Sequence, residues 1–298
     1  MFRGSLTALV TPFTRDGALD KDAFRSLVEW QIAEGTSGLV PVGTTGESPT
    51  LSDEEQVAVI RRVVEVAKGR VPVVAGTGSF STKKTISASK AAIEAGADGV
   101  MVVMPYYNKP SQDGMREHVL AIAREVSAPI VLYNIPGRCV VDLAADTTAQ
   151  ICERAPNVVA LKDATGNVLR CQELKRKLGE RLTVLSGDDV LTLAFGAVGA
   201  SGVISVTSNV RPREVSEVTR ALLANDFARA KAYHFALVEL HGAMFLEPNP
   251  APAKAALAAM GRMTAAVRQP LLPASEATRS KVAEALVRLD ASFPKATS

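Results

Sequence analysis

The amino-acid sequence predicts a (β/α)8 barrel over residues 1–224, followed by a small helical C-terminal domain over residues 225–298. Two observations carry this prediction. Eight short apolar runs recur along the first part of the chain, and amphipathic helical windows separate most of them. Strand and helix alternating about eight times over about 220 residues is the pattern of a closed barrel of parallel strands.

The eight apolar runs have the length of buried parallel strands. In chain order they cover residues 6–10, 38–42, 71–75, 99–103, 129–133, 158–162, 182–186 and 202–206. Helical windows, with apolar residues three and four positions apart, cover residues 20–34, 53–68, 81–95, 112–126 and 169–178. Ser52 precedes three acidic residues, so it supplies an N-cap hydroxyl in front of first-turn carboxylates.

From residue 225 onward the strand pattern stops. Residues 226–246, 251–260 and 275–289 read as Ala-rich helices, separated by the segments EPNPAP and QPLLP. Proline-rich segments of this kind end helices, because proline lacks a backbone N–H and clashes with the preceding turn. The sequence therefore predicts a C-terminal region made of helices alone.

Composition excludes several classes of protein. The 298 residues are 47% hydrophobic and 22% charged, which excludes disorder and collagen-like repeats. The net charge is +3 and the basic residues are scattered, so we expect neither nucleic acid nor a membrane as a partner. The N-terminal segment MFRGSLTALVTPF is interpreted as a strand and not as a signal peptide. The longest apolar region, 194–206, is too interrupted to span a membrane.

The cysteines and histidines do not form a recognisable framework. No CxxC pair occurs, so we expect neither disulfides nor zinc, and a reducing cytoplasm fits this usage. The histidines lie in predicted helices, where packing is favoured over catalysis. The residues concerned are Cys139, Cys152, Cys171, His118, His234 and His241.

Distinctive motifs follow the predicted strands, where the active site of a (β/α)8 barrel is built. They are VGTTGES, GTGS, PYYNKP, YNIPGR, LKDATGN, SGDD and GVISVTSN. Lys162 closes the apolar run 158–161, so its ammonium group enters a water-poor barrel mouth. Desolvation favours the free amine, which can attack a ketone and form a Schiff base. The alternatives are a salt bridge with Asp163 or a lysine that extends to solvent.

The segment 43–47, Gly-Thr-Thr-Gly-Glu, offers two hydroxyl groups and several backbone N–H groups to a small carboxylate. It lacks the lysine of a phosphate-binding loop, which disfavours a nucleotide, and an ordinary strand-to-helix turn remains the alternative. Tyr133 can relay protons when it is hydrogen-bonded to a hydroxyl such as that of Thr45. Arg138 can bind a second carboxylate or be solvated, and for Tyr106 a subunit interface is favoured.

A metal site is the alternative interpretation of three aspartates, as in metal-dependent enolising barrels. Asp163, Asp188 and Asp189 follow predicted strands, but no His or Glu joins them at ligand spacing. Solvated loop carboxylates are therefore the favoured interpretation. A barrel that binds or scaffolds without catalysis is a further alternative, and an unreactive Lys162 would be its signature.

The motifs GTTGES, AGTGS, PYYNKP, YNIPGR, ALKDATGN, LSGDD, GVISVTSN and EPNPAPAK occur in this order across nearly the whole chain. Together they resemble the dihydrodipicolinate synthase family of the pyruvate-dependent class I aldolases. The resemblance implies condensation of pyruvate with L-aspartate 4-semialdehyde in the diaminopimelate route to L-lysine. It also implies no metal or organic cofactor and a homotetramer of two dimers. GTTGE and the lysine are shared with sister lyases that cleave N-acetylneuraminate or 2-keto-3-deoxy sugar acids, and Arg138 favours the condensing enzyme.

The resemblance also implies a role for individual residues. Lys162 would form the imine, while Tyr133, Thr45 and Tyr107 of the partner subunit would relay protons. The substrates would be bound by Thr44, Thr45 and Arg138, and by backbone atoms of Gly187 and Ile204.

Two departures from the family pattern concern the mouth of the site and its regulation. The residues after Arg138 read Cys-Val-Val-Asp, whereas the family often has Thr-Gly-Val-Asp. Gln56, Phe80 and Lys84 stand where lysine-sensitive members carry His, Asn and Glu. A cation at position 84 repels a ligand ammonium, so the sequence predicts weak or absent inhibition by L-lysine.

Overall fold

A computed structural model describes residues 2–293 and contains one sheet of eight parallel strands. The strands are β1 Gly4–Ala8, β2 Gly38–Val40, β3 Val74–Gly76, β4 Gly99–Val103, β5 Ile130–Asn134, β6 Val158–Asp163, β7 Thr183–Ser186 and β8 Gly202–Ser205. Their order in the sheet is β2-β1-β8-β7-β6-β5-β4-β3. A parallel bridge between Leu39 and Val73 joins the two ends of this order and closes the barrel. The predicted (β/α)8 barrel is confirmed.

Twelve α-helices surround or follow the strands within the described residues. They are α1 Lys21–Ala33, α2 Asp53–Ala67, α3 Thr82–Glu94, α4 Gln112–Glu125, α5 Pro136–Cys139, α6 Ala145–Arg154, α7 Val168–Leu178, α8 Thr192–Ala197, α9 Pro212–Leu223, α10 Phe227–Ala243, α11 Ala251–Ala259 and α12 Glu276–Ser292. The N-cap predicted at Ser52 is present: its side chain accepts from the Glu55 N–H, and Glu55 accepts in return from the Ser52 N–H. This reciprocal pair fixes where α2 begins.

Two apolar layers hold the barrel together. Residues on the inner faces of the strands, among them Leu6, Val131 and Ile204, pack against one another inside the barrel. Residues on the outer faces, such as Leu39 and Leu132, pack against the surrounding helices. Because both faces of every strand are buried, the strands read as continuous apolar runs in the sequence.

The strand limits differ from the prediction at β1 and β3. The predicted run 6–10 extends past Ala8, but the Val10 N–H donates to the Asn209 side chain at 3.0 Å and not to a neighbouring strand. In the run 71–75, the Val73 N–H donates to Asp98 Oδ2 at 2.8 Å, so β3 begins only at Val74. In both places a side chain accepts from the backbone N–H group, which therefore does not donate to a neighbouring strand.

The C-terminal helices pack on one side of the barrel. Helix α10 packs against α9, α12 packs against α10, and α11 packs against α12. The division of the chain at residue 225 remains a proposal, and residues 294–298 of the predicted second domain lie outside the described residues. Between residues 2 and 293, no helix combines the length and apolar character needed to cross a membrane.

Candidate active site

Lys162 and Tyr133 lie side by side at the C-terminal ends of β6 and β5. The register of the two parallel strands pairs them directly, and Lys162 Nζ lies 4.2 Å from the centroid of the Tyr133 ring. Both side chains are buried inside the barrel. The strand register therefore brings an amine and a phenol together, as the sequence predicted for residues that follow neighbouring strands.

Burial lowers the pKa of Lys162 to about 8, because an ammonium group loses its hydration inside the barrel. The carboxylate of Asp189 opposes this change, and the guanidinium of Arg138 adds to it. The alternative salt bridge with Asp163 is absent: Asp163 accepts hydrogen bonds from the Thr165 N–H and hydroxyl. Among residues 2–293, no carboxylate lies within ion-pair distance of Lys162 Nζ. The free amine of Lys162 is therefore far more populated near pH 7 than that of an unperturbed lysine.

The phenol of Tyr133 stays protonated. Burial raises its pKa to about 12, while Arg138 and a hydrogen bond with the Thr44 side chain act in the opposite direction. The sequence-based interpretation placed this hydroxyl contact at Thr45. In the structure the side chain that acts on the phenol is that of Thr44, while Thr45 Oγ1 accepts from Asn249 Nδ2 at 2.9 Å. Two adjacent threonines in a turn point in different directions, so their spacing alone does not decide which one meets the phenol.

The loop between β2 and α2 has a tightly defined backbone. Val42 and Glu47 both adopt left-handed conformations, with φ of 58° and 55°, and hydrogen bonds to Gly43 O and Thr44 O close the turn. The N–H groups of Thr44 and Thr45 donate no hydrogen bond within the part of the chain described. Left-handed residues outside glycine are costly and concentrate at functional sites. The loop thus keeps two free donors, as binding a carboxylate requires.

A cavity of about 380 Å³ opens beside this loop and reaches Thr44 and Tyr133. The three residues that the resemblance associates with lysine regulation, Gln56, Phe80 and Lys84, line the same cavity. Tyr106 also lines it and packs edge-on against Phe80, with ring centroids 5.5 Å apart. The cavity therefore joins the mouth of the barrel to the groove between α2 and α3.

The other predicted site residues lie around the barrel mouth with different exposure. Arg138 lies on the one-turn helix α5 and is exposed. Tyr107 is 91% exposed, with φ of 70°. Ile204 is buried inside the barrel, and the Gly187 N–H donates to Asp163 O at 2.7 Å. A β-carbon at Gly187 would lie 2.7 Å from that of Ala164, so only glycine fits this approach.

The aspartates that could have indicated a metal site have separate partners. Asp189 is buried and accepts from the Ser205 hydroxyl and from the N–H groups of Val206 and Thr207. Asp163 is also buried, so the expectation of solvated loop carboxylates is wrong for both. Residues 2–293 contain no group of three or more His, Cys, Asp or Glu side chains able to hold a metal ion. The two carboxylates instead fix the loops after β6 and β7.

The histidines and cysteines agree with structural roles. His118 hydrogen-bonds Thr82, and His241 hydrogen-bonds Thr207, both at 2.9 Å. Burial lowers the pKa of each of these imidazoles to about 4, so both are neutral at pH 7. The three cysteines are buried free thiols.

Sequence reasoning missed the buried partners of the β2–α2 loop. Lys254 of α11 forms an ion pair with Glu47, with Nζ and Oε1 2.5 Å apart, and both side chains are buried. Asn249, just before α11, holds Thr45. A signal was present in the sequence, because Lys254 is the one charged residue in the apolar stretch APAKAALAAM. A lone charge in such a helix is buried only when it has a partner.

Comparison with known proteins agrees with this geometry. Residues 1–289 match the model of the dihydrodipicolinate synthetase family. The chain is 73% identical over 289 residues to a 4-hydroxy-tetrahydrodipicolinate synthase of Sorangium cellulosum, covering 97% of this chain and 96% of that one.

Solved structures share the whole fold. The synthase of Methylacidiphilum fumariolicum superposes with a TM-score of 0.96 at 43% identity, covering 99% of this chain and 98% of that one. A dihydrodipicolinate synthase from Acinetobacter baumannii, solved in complex with pyruvate, gives 0.95 at 44% identity, covering 97% and 99%. The chain therefore belongs to the dihydrodipicolinate synthetase family and is a lyase of the class I aldolase type.

Proposed function

We propose that this chain condenses pyruvate with L-aspartate 4-semialdehyde in the diaminopimelate route to L-lysine, as the synthases it resembles do. The observation that carries the proposal is the buried amine of Lys162, with a pKa lowered to about 8, beside the phenol of Tyr133. A related structure holds pyruvate, which supports the choice of first substrate.

The first half of the reaction uses the amine. Lys162 Nζ attacks the keto carbon of pyruvate, the carbinol oxygen takes a proton and leaves as water, and a protonated imine remains. The imine nitrogen draws electrons from the pyruvate methyl group, which loses a proton to give an enamine. The protonated phenol of Tyr133 supplies a proton to the departing oxygen, and its hydrogen bond with Thr44 makes a two-group relay. In the proposed assembly Tyr107 of the partner subunit completes this relay.

The second half joins the two substrates. The enamine carbon attacks the aldehyde carbon, and the aldehyde oxygen takes a proton. The amino group of the second substrate then attacks the imine carbon, the bond to Lys162 Nζ breaks, and a cyclic product leaves. All proton transfers use side chains and substrate groups, so the proposed mechanism needs neither a metal nor an organic cofactor.

The loops around the cavity bind the carboxylates of the two substrates. The free N–H groups of Thr44 and Thr45 and the Thr45 hydroxyl bind the pyruvate carboxylate. Arg138 binds the carboxylate of the semialdehyde at the mouth. Gly187 and Ile204 complete the site through backbone atoms.

A steady-state assay tests the reaction. Purified protein given pyruvate and L-aspartate 4-semialdehyde should consume both, and EDTA should leave the rate unchanged. N-acetylneuraminate and 2-keto-3-deoxy sugar acids should not be cleaved at a comparable rate. Cleavage of either acid without condensation would assign the chain to a sister lyase, and loss of activity with EDTA would contradict the metal-free mechanism.

We further propose that L-lysine inhibits weakly or not at all. Lys84 places a cation in the groove that also contains Gln56 and Phe80, and a second ammonium group there is repelled. The one carboxylate that lines this groove is that of Asp53. Inhibition of the steady-state rate by lysine at low millimolar concentration would contradict this proposal, and Lys84→Glu should strengthen inhibition.

We also propose a homotetramer of two dimers in the cytoplasm. The resemblance to the family motivates this proposal, and Tyr107, which is exposed with φ of 70°, is accessible to a partner subunit. Sedimentation should give a tetramer, and a monomer at working concentration would contradict the role of Tyr107.

A further inference from the structure

The C-terminal region contacts the β2–α2 loop at two buried points, more than 200 residues away in the sequence. Asn249 Nδ2 donates to Thr45 Oγ1 at 2.9 Å, and Lys254 Nζ lies 2.5 Å from Glu47 Oε1. These two loop residues flank Gly46. The loop that offers its N–H groups to a carboxylate is thus held from outside the barrel.

The contact with Thr45 fixes which way its hydroxyl points. A hydroxyl has one donor hydrogen and two acceptor lone pairs. Because the amide of Asn249 donates to the oxygen, the hydroxyl hydrogen does not point at the amide and is free to donate elsewhere. A substrate carboxylate accepts such a hydrogen bond, and the N–H groups of Thr44 and Thr45 lie free in the same turn.

The contact with Glu47 fixes the other side of the turn. Glu47 adopts a left-handed conformation with φ of 55°, which an ordinary side chain adopts only when its surroundings enforce it. Its carboxylate is buried between Lys254 Nζ and the Arg268 N–H, which donates to Oε2 at 2.9 Å. Lys254 in turn donates to Ala266 O at 2.8 Å and lies 4.1 Å from the Phe13 ring centroid. The Lys254 ammonium that contacts the Glu47 carboxylate is therefore itself held in place.

We infer that Asn249 and Lys254 are positioning residues for the pyruvate carboxylate. Asn249 turns the Thr45 hydroxyl hydrogen toward the substrate, and Lys254 keeps the loop in its left-handed turn through Glu47. Neither residue touches the reacting atoms, so both act on substrate binding more than on the chemical step. This inference rests on the proposed function, since it assumes that pyruvate binds at this loop.

Asn249→Asp gives the sharpest test, because it keeps the shape and the acceptor oxygen but removes the donor. The Thr45 hydroxyl must then donate to the introduced carboxylate in place of the substrate, and a second negative charge faces the pyruvate. We expect the pyruvate KM to rise by about tenfold or more, with kcat changed less than about threefold. Asn249→Ala, which removes the whole amide group and introduces no charge, should raise KM by about three- to fivefold.

A matched control is Asn157→Asp at the opposite end of the barrel. The Asn157 amide, which is half-buried, donates to Ala123 O and Val126 O, so this variant also loses an amide donor. Because its role is only structural, Asn157→Asp should lower the unfolding temperature and leave the pyruvate KM unchanged. Equal pyruvate KM values for wild type and Asn249→Asp would overturn the role of Asn249.

The role of Lys254 is tested by removing both charges of its ion pair with Glu47. Lys254→Met alone leaves the Glu47 carboxylate buried without an ion-pair partner, so the variant can fail to fold. The double variant Glu47→Gln with Lys254→Met avoids this problem. We expect it to fold and to show a pyruvate KM raised about tenfold, while the KM for the semialdehyde changes less than about twofold. An unchanged pyruvate KM in this variant would overturn the role of the ion pair.

Borohydride trapping separates this inference from the proposed function. Wild-type protein should give a pyruvate adduct on Lys162 that saturates with pyruvate concentration. If it does, and the Asn249 and Lys254 variants saturate at the same concentration as wild type, the positioning roles are wrong and the proposed function stands. If wild type gives no adduct, the proposed function itself fails.

Discussion

Lys162 and Lys254 are both almost fully removed from solvent, and burial lowers the pKa of each ammonium group to about 8. Each Nζ also lies over an aromatic ring, 4.2 Å from the Tyr133 centroid for Lys162 and 4.1 Å from the Phe13 centroid for Lys254. They differ in their partners. Lys254 is ion-paired with Glu47, whereas Lys162 has no carboxylate within ion-pair distance in residues 2–293.

The difference shows that a lowered pKa does not by itself identify a nucleophile. Lys254 is ion-paired with a carboxylate and donates to a carbonyl oxygen, so its amine has no path to a substrate. Lys162 lies at the barrel mouth beside Tyr133, which lines a cavity. Burial lowers the pKa of both lysines, and what distinguishes Lys162 is its place beside Tyr133, a residue that lines the cavity, with no ion-pair partner.

The largest expected effect concerns reactivity. Lys162→Arg removes the amine that forms the imine, so the condensation rate should fall by about a thousandfold or more. Lys254→Arg keeps a cation for Glu47 and should still form the pyruvate adduct at Lys162. Substantial condensation by Lys162→Arg would show that the two lysines are not distinguished as described.

The second prediction concerns the free energy of unfolding, which should fall when Lys254 is replaced by Met and should not fall when Lys162 is. Lys254→Met should lower the free energy of unfolding by about 3–5 kcal/mol, because Glu47 is left buried and unpaired. Lys162→Met removes a buried cation that has no ion-pair partner, so stability should be unchanged or rise by about 1–4 kcal/mol. Urea unfolding of both variants at pH 7 measures the difference. A loss of the same size in both would contradict it.

The third prediction concerns pH. Only the neutral amine attacks pyruvate, so the initial trapping rate should rise with pH and level off above the pKa of Lys162, with a midpoint near 8. At pH 7 about a tenth of the side chain is neutral, compared with well under a hundredth for an unperturbed lysine. Tyr133, with a pKa of about 12, stays protonated over this range. A midpoint near 10 would show that Lys162 is not desolvated.

The smallest expected effect is a shift of that midpoint. The positive charge of Arg138 lowers the pKa of Lys162, so Arg138→Met should move the midpoint upward by less than about one pH unit. Arg213→Met is a matched control, because Arg213 is an exposed arginine whose partner is Glu34. A downward shift for Arg138→Met would show that Arg138 acts on Lys162 through something other than its charge.

Most of the barrel could be predicted because its strands are buried on both faces. The runs that became β4, β6 and β8 needed no long-range information, since their apolar residues alone mark them. Helix α6, with the sequence ADTTAQICER, was not predicted: it has only ten residues, and its buried face includes the polar residues Thr147 and Thr148. The ends of β1 and β3 could not be predicted, because Asn209 and Asp98 terminate them from distant positions.

The sequence predicted which residues form the site, but not which side chains they contact. Lys162 and Tyr133 came from their position at strand ends. The sequence could not decide whether Thr44 or Thr45 meets the phenol. Adjacent hydroxyl groups in a turn point in different directions, and only the backbone conformation sets those directions. The burial of Asp189 depends on three donors in and after β8, and the contact of Asn249 with Thr45 spans 204 positions.

The most direct test of the central claim is to identify the lysine that reacts. Wild-type protein is incubated with pyruvate, reduced with borohydride, digested, and the modified peptide is mapped by mass spectrometry. The structure predicts a pyruvate-dependent adduct on Lys162 and none on Lys254. No adduct on folded protein, or an adduct at Lys254, would contradict the assignment of Lys162 as the imine-forming residue.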